Sequence, residues 1–320
     1  MARRLIISAK DAASALVEGP DPSPGPGQVA IRVAACGLNF ADLLMISGQY
    51  QDQPPFPLTP GMEIAGTVAA AGPGVDPGLV GRRVAAFPGQ GGLAEVALAP
   101  ADRLVPLADH MPMDEAAAMQ VAYGTSHLAL LRTARLKPGE TLLVLGAAGG
   151  VGLTAVEIGA MIGARVIASA RGPEKGAIAA QAGAQHVLDS DRDDLTDAVR
   201  ALGGADVVYD AVGGPAFRAA LSATRPEGRI LLIGFASGTL PDIRPNHLLV
   251  KNVSVHGFYW GGYLSFAPDV LTDSLAEVFR WRAEGRISPH ISHRFPLERA
   301  DEALALLKGR GSTGKVVVLP

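Results

Sequence analysis

Cysteine is almost missing from this chain. Cys36 is the only one in 320 residues, so no intramolecular disulfide can form, and a reducing compartment fits. No sign of charge dominates either. The 28 Lys and Arg against 31 Asp and Glu leave a net charge of −3, which offers a polyanion no basic surface; nucleic acid and anionic membrane are excluded as expected partners. Long apolar runs are scarce. The N-terminus offers only Leu5-Ile6-Ile7, too short for a signal peptide, and the most membrane-like run, 151–170, carries Glu157, Arg165 and several glycines. A buried helix followed by a strand explains that run, and a soluble, cytoplasmic protein is expected.

What is present is apolar residue in quantity, 48% of the chain, broken by 39 Gly and 24 Pro, which excludes disorder and describes a packed, turn-rich protein. The length suggests two domains at ~100–200 residues each. The first third alternates polar and apolar residues over 28–35, 64–68, 83–87 and 95–98, punctuated by PDPSPGPG (20–27) and AGPGVDPG (71–78). Strands and turns follow from that pattern. From 114 an acidic start leads into apolar residues at helical spacing as far as Leu131. Short apolar strands at 141–146, 165–169, 186–189, 206–209, 229–233 and 253–256 then alternate with Ala-rich helical segments. Such alternation implies an α/β fold, a doubly wound parallel sheet with helices on both faces. Helices over 269–285 and 297–307 and a last strand over 315–319 complete the chain and are expected to return to the β-rich domain.

The strand Thr141–Leu145 runs into Gly146-AAGGV-Gly152 and then an apolar helix. Glycines let backbone amides at a helix N-terminus approach a pyrophosphate. G-x-G-x-x-G is not present letter for letter, since Ala148 precedes Gly149. The strand before and the helix after nevertheless make Ala148, Gly149, Gly150 and Val151 the expected dinucleotide cradle. The second strand ends Ala168-Ser169-Ala170-Arg171, where a carboxylate would bind an NAD ribose. Arg171 offers a 2′-phosphate a planar fork and Lys175 adds a point charge, so NADPH is expected rather than NADH. Gly309-RGST-Gly314-Lys315 imitates a P-loop, but Val316 stands where the magnesium-binding hydroxyl belongs and no helix follows; nucleotide hydrolysis is rejected.

These segments, with Cys36-GLNFA-Asp42, Ser47-GQ-Tyr50, Pro60-GMEIA-Gly66, Gly91-GLA-Glu95, Asp210-AVG-Gly214 and Thr313-GKVVV, resemble the medium-chain dehydrogenase/reductase superfamily, and within it the zinc-independent quinone oxidoreductases. The resemblance covers nearly the whole chain. It implies a GroES-like β-rich catalytic domain over 1–122 and 264–320 and a Rossmann NADPH-binding domain over 123–263. It further implies an active site in the cleft between them and homodimers joined through the strand at 253–256. Zinc alcohol dehydrogenases place a Cys ligand where Asn39 stands and a His ligand where Met62 stands. A thioether and an amide do not make a tetrahedral zinc site. Cys36 reads as an ordinary buried residue, a four-cysteine structural zinc lobe is impossible, and the pair His290/His293 reads as a loop feature.

Without a Lewis acid, hydride addition to a conjugated quinone or enone is easier than to an isolated carbonyl, because the charge that develops is spread out. By resemblance Tyr50 is the candidate proton or hydrogen-bond donor, Asn39 touches the nicotinamide or the acceptor, and Thr125 lies on the nicotinamide side. Asp42 is expected to orient backbone. Gly234, Phe235, Phe258, Tyr259 and Trp260 follow strand ends and are expected to line the cofactor site. Ser190, where some relatives carry an aromatic, falls on the adenine side, and Lys315 joins the cofactor group. An enoyl-thioester or 2-alkenal reductase of the same fold is the alternative, and a cofactor-holding protein with little turnover the second.

Overall fold

The computed structural model describes residues 1–191 and 194–320, which fall into two compact units, Met1–Val121 with Pro289–Pro320 and Ala122–Ser288. In chain order the strands of the first unit are β1 (Ala2–Ile7), β2 (Ser14–Gly19), β3 (Gln28–Leu38), β4 (Glu63–Ala71), β5 (Arg83–Ala86), β6 (Val96–Pro100) and β7 (Leu104–Pro106). The second unit contributes β8 (Thr141–Leu145), β9 (Arg165–Ala170), β10 (His186–Asp189), β11 (Ala205–Asp210), β12 (Thr224–Leu232) and β13 (Ser254–Gly257). The chain then returns to the first unit for β14 (Ile291–Pro296) and β15 (Lys315–Leu319). The helices that matter below are α1 (Phe40–Ile46), α2 (Met113–His127), α3 (Gly150–Met161), α4 (Gly172–Gln181), α5 (Leu195–Ala201), α6 (Gly214–Ala223), α7 (Pro245–Lys251), α8 (Tyr263–Phe266), α9 (Pro268–Ala283) and α10 (Ala300–Lys308).

In the first unit β3 is the hub, pairing with β4, β6 and β15 in a sheet of order β14-β15-β3-β4-β5-β7. Its alternating side chains put Val29, Ile31 and Val33 into a core shared with Ile64, Val68, Val84 and the inner face of α10. Gly66 permits the tight β3–β4 pairing, since a Cβ there would lie 2.1 Å from the Arg32 carbonyl oxygen. The return of β15 to pair with Cys36–Leu38 brings the chain's end against its first third.

The second unit is a parallel sheet of order β10-β9-β8-β11-β12-β13, the doubly wound arrangement expected. Its switch point lies between β8 and β11, whose carboxyl ends are Leu145 and Asp210. The central strand β8 is buried along its whole length, as a strand covered on both faces must be.

The second crossing between units falls at Ser288/Pro289 rather than near 264. Helix α9 therefore belongs with the nucleotide-type fold. Its buried Leu271, Leu275 and Val278 pack there, the Ser274 hydroxyl bonds His127 Nδ1 at 2.8 Å, and Trp281 meets the His127 ring edge-on at 4.9 Å. Helix α2 stops at His127 and gives way to a π-helical turn, Leu128–Thr133. No helix among the described residues is long and apolar enough to cross a membrane.

Candidate active site

The turn after β8 has the properties of an anion cradle. Gly146 takes φ 71°, and a Cβ on Gly152 would lie 2.1 Å from the Gly146 carbonyl oxygen, so neither position tolerates a side chain without displacement. Gly149 is the N-cap of α3 and has no side chain to satisfy the first-turn amides, which leaves them for a ligand. Opposite, at the end of β11, Asp210 accepts from Val212 N and Gly213 N at 2.8 Å through one oxygen, while its buried Oδ2 has no hydrogen-bond partner. Burial pushes this carboxyl above its ordinary range. The glycine turn and the open first-turn amides of α3 fit a dinucleotide phosphate, while Asp210 holds the facing turn at 212–213 in place.

The remaining cofactor candidates follow the same strand ends. Arg171 follows β9 as the N-cap residue of α4, and its guanidinium is exposed and 3.3 Å from the Asp191 carboxylate. Lys175 is half-buried in the first half of α4. Ser190 follows β10, exposed, its N–H on the Ala170 carbonyl. Gly234 and Phe235 follow β12, and Phe258, Tyr259 and Trp260 follow β13. Trp260 is buried against Gly124, where a Cβ would lie 2.6 Å from Nε1. Thr125 is thus next to the tryptophan's contact point, and it too is buried.

Sequence reasoning missed the brace beneath Thr125. The Ser126 hydroxyl meets Thr154 Oγ1 at 2.8 Å and the Tyr209 hydroxyl at 2.9 Å, and donates to the Val151 carbonyl at 3.0 Å. One hydroxyl thereby ties α2 to the start of α3 and to β11. Burial raises the Tyr209 phenol well above its usual range, so it stays a neutral hydrogen-bonding group.

The first unit holds a buried polar cluster at the start of α1. Asp42 accepts from Asn39 N through Oδ2 and from Gly61 N through Oδ1, both at 2.8 Å, so it orients backbone as expected. Its burial raises the carboxyl to about 6 despite those two donors. Glu63, fully buried, accepts from Asn39 Nδ2 through Oε1 and from Val121 N through Oε2, again at 2.8 Å. Lys315 is not a surface cation available to a cofactor. Its side chain is buried and its ammonium forms an ion pair with Glu63 at 2.8 Å while also donating to Leu38 O and Asn39 Oδ1. Stranding either charge by removing the other would cost about 3–5 kcal/mol. Tyr50 lies half-buried just beyond α1.

Cys36 is a core residue, its sulfur within 3 Å of where a Cβ on Gly61 or Gly92 would sit, and burial lifts its thiol far above the reactive range. His293 stands within β14 rather than in a loop, stacked on Phe295, because its segment pairs with β15; His290 just before it meets the Thr313 hydroxyl at 2.9 Å. No three His, Cys, Asp or Glu side chains converge among the described residues.

The family model for the alcohol dehydrogenase GroES-like domain matches residues 25–109, and that for the zinc-binding dehydrogenase matches residues 150–277. Quinone oxidoreductase-like protein 2 of Bos taurus is 41% identical over 308 residues, covering 95% of this chain and 88% of the relative. This chain is a member of the quinone oxidoreductase group of medium-chain dehydrogenases/reductases. Solved relatives superpose over their full length. A mycobacterial protein complexed with NADPH gives a TM-score of 0.94 at 32% identity, covering 100% of both chains. The quinone oxidoreductase of Thermus thermophilus, also solved with NADPH, gives 0.88 at 34% identity, covering 99% of this chain and 100% of the other. The medium-chain reductase frame accounts for both units, the GroES-like β-rich one and the parallel-sheet one. The zinc-binding dehydrogenase model covers residues 150–277 only, a stretch that includes neither Asn39 nor Met62.

Proposed function

We propose that this quinone oxidoreductase relative binds NADPH and reduces a small quinone or enone without a metal. The observation that carries the reading is the uncapped glycine turn at the switch point of a doubly wound sheet, with Arg171 at the end of the next strand. NADPH complexes of the mycobacterial and Thermus relatives support it. Ala148, Gly149, Gly150 and Val151 would hold the pyrophosphate, and Arg171 with Lys175 the 2′-phosphate. Thr125 and the segment Phe258–Trp260 would frame the nicotinamide end, with Gly234 and Phe235 beside it.

Bound NADPH supplies the hydride. The protein's own residues hold the acceptor and manage its charge. Asn39 offers an amide N–H to the acceptor oxygen, and Tyr50 is the donor placed to protonate or hydrogen-bond the reduced product. Zinc finds no ligand set in Asn39, Met62 and a carboxylate already neutralised by Lys315, which supports metal-free chemistry and a conjugated acceptor. Two copies would pair along β13, the edge strand of the parallel sheet.

The deciding experiment follows NADPH oxidation against a benzoquinone and a crotonyl thioester in parallel, with metal content measured on the same preparation. Faster turnover of the quinone with substoichiometric zinc is expected. Faster turnover of the thioester would assign the chain to enoyl reduction, and activity lost on chelation and restored by zinc would refute the metal-free reading.

A further inference from the structure

The cluster around Asn39 leaves its amide one orientation. Lys315 has three N–H donors and no acceptor, and its three acceptors are Leu38 O at 2.6 Å, Asn39 Oδ1 at 2.6 Å and Glu63 Oε1 at 2.8 Å. The Glu63 carboxylate only accepts, and it takes Asn39 Nδ2 at 2.8 Å. Turning the amide over would set its NH2 against the ammonium and its carbonyl against the carboxylate, both repulsive. The flip state, often ambiguous for an asparagine, is therefore dictated by its neighbours. Of the two Nδ2 protons one is bound to Glu63, and the other meets no acceptor among the described residues.

We propose that Lys315 and Glu63 are positioning residues that act through Asn39: the buried ion pair locks the amide carbonyl inward and leaves one Nδ2–H as a fixed donor for the carbonyl oxygen of the acceptor. The inference rests on the reading of the chain as a reductase of conjugated carbonyls and deepens it. It assigns the substrate class by a single requirement, an oxygen that gains negative charge as hydride arrives. A donor that needs no reorientation at that moment is worth more than one that must turn to find it. Lys315 also has a purpose in this scheme that a cofactor contact does not give it, because all three of its donors are already engaged.

The test is a double-mutant cycle on the full-length enzyme, with Lys315→Met, Asn39→Ala and the double variant assayed for benzoquinone reduction. If Lys315 acts through Asn39, Lys315→Met lowers kcat by about tenfold or more in the natural background and by less than about twofold where residue 39 is Ala. NADPH affinity, read by quenching of protein fluorescence, stays within about twofold, since that site belongs to the other unit. Equal losses in both backgrounds would overturn the proposal and leave the pair a stabilising element only. Should Lys315→Met fail to fold, Glu63→Gln, which keeps an oxygen for the ammonium, replaces it in the same cycle.

A second readout needs no turnover. In NMR spectra of the cofactor-free protein, the Asn39 side-chain amide, identified by its loss in Asn39→Asp, should show the proton bound to the Glu63 carboxylate shifted downfield and protected from exchange with solvent. Lys315→Met or Glu63→Gln should move that proton upfield and speed its exchange with solvent. An unchanged resonance would refute the locked amide, whereas absent quinone or enone turnover by the natural enzyme would refute the functional reading and leave the amide's orientation to the NMR comparison.

Discussion

Arg171 and Asp191 meet across neighbouring strand ends, Nε to Oδ1 at 3.3 Å, both largely solvent-exposed. Arg171 is the group proposed to bind the 2′-phosphate, so Asp191 competes with the ligand for it. An exposed pair of this kind is worth roughly 1 kcal/mol at most. Asp191→Asn should therefore tighten NADPH binding by up to about fivefold, the same energy expressed as a ratio, and leave NADH unchanged. Replacing Arg171 and Lys175 by neutral residues should raise KM for NADPH by about tenfold or more, with little effect on NADH, as expected for lost hydrogen bonds to a charged group. Titration with both cofactors checks both statements, and equal effects on the two would remove Arg171 from the phosphate site.

Tyr50 gives a clean separation of chemistry from cofactor binding. Tyr50→Phe removes one hydroxyl and should reduce kcat by about a hundredfold if that hydroxyl serves as donor in the transition state. NADPH affinity should be intact. An unaltered kcat would make Tyr50 a packing residue.

Asp42 makes the stability of the first unit depend on pH in a defined direction. Burial raises its carboxyl from 3.8 to about 6, so the folded chain keeps a proton that the unfolded chain has released. Its contribution to stability is full below the lower value and is lost as pH rises through the upper one. Denaturant unfolding of the natural protein and of Asp42→Asn should show the difference in stability shifting against the natural protein between about pH 4 and pH 6. Curves that run parallel across that window would contradict the raised value.

Gly152 tests the cradle sterically. A Cβ there would lie 2.1 Å from the Gly146 carbonyl oxygen, so Gly152→Ala must push the turn apart. Destabilisation of about 1–3 kcal/mol is expected, together with loss of NADPH binding. Calorimetry with and without cofactor reads both, and retained affinity would move the phosphate site elsewhere.

The alternation of short apolar strands with helical segments was enough to announce the parallel sheet, because a strand buried on both faces has to be apolar throughout, as β8 is. The glycines at 146–152 declared the cradle for a similar reason, since a close backbone approach excludes side chains locally. The identity of Asn39 and Met62, the residues weighed against a zinc site, was likewise plain in the letters. The assignment of α9 to the second unit was not, because its apolar face suits either core and only the contacts of Leu271, Ser274 and Trp281 choose. Least visible of all was the role of Lys315, which stands 252 residues from Glu63 in the chain and looked like the end of a failed P-loop. A charge can be buried only where its partner is already waiting, and the partner is supplied when β15 pairs with β3. Local spacing in the sequence determined the elements and the glycine turn; which polar side chains meet in the β-rich core was decided by strand pairing between the two ends of the chain.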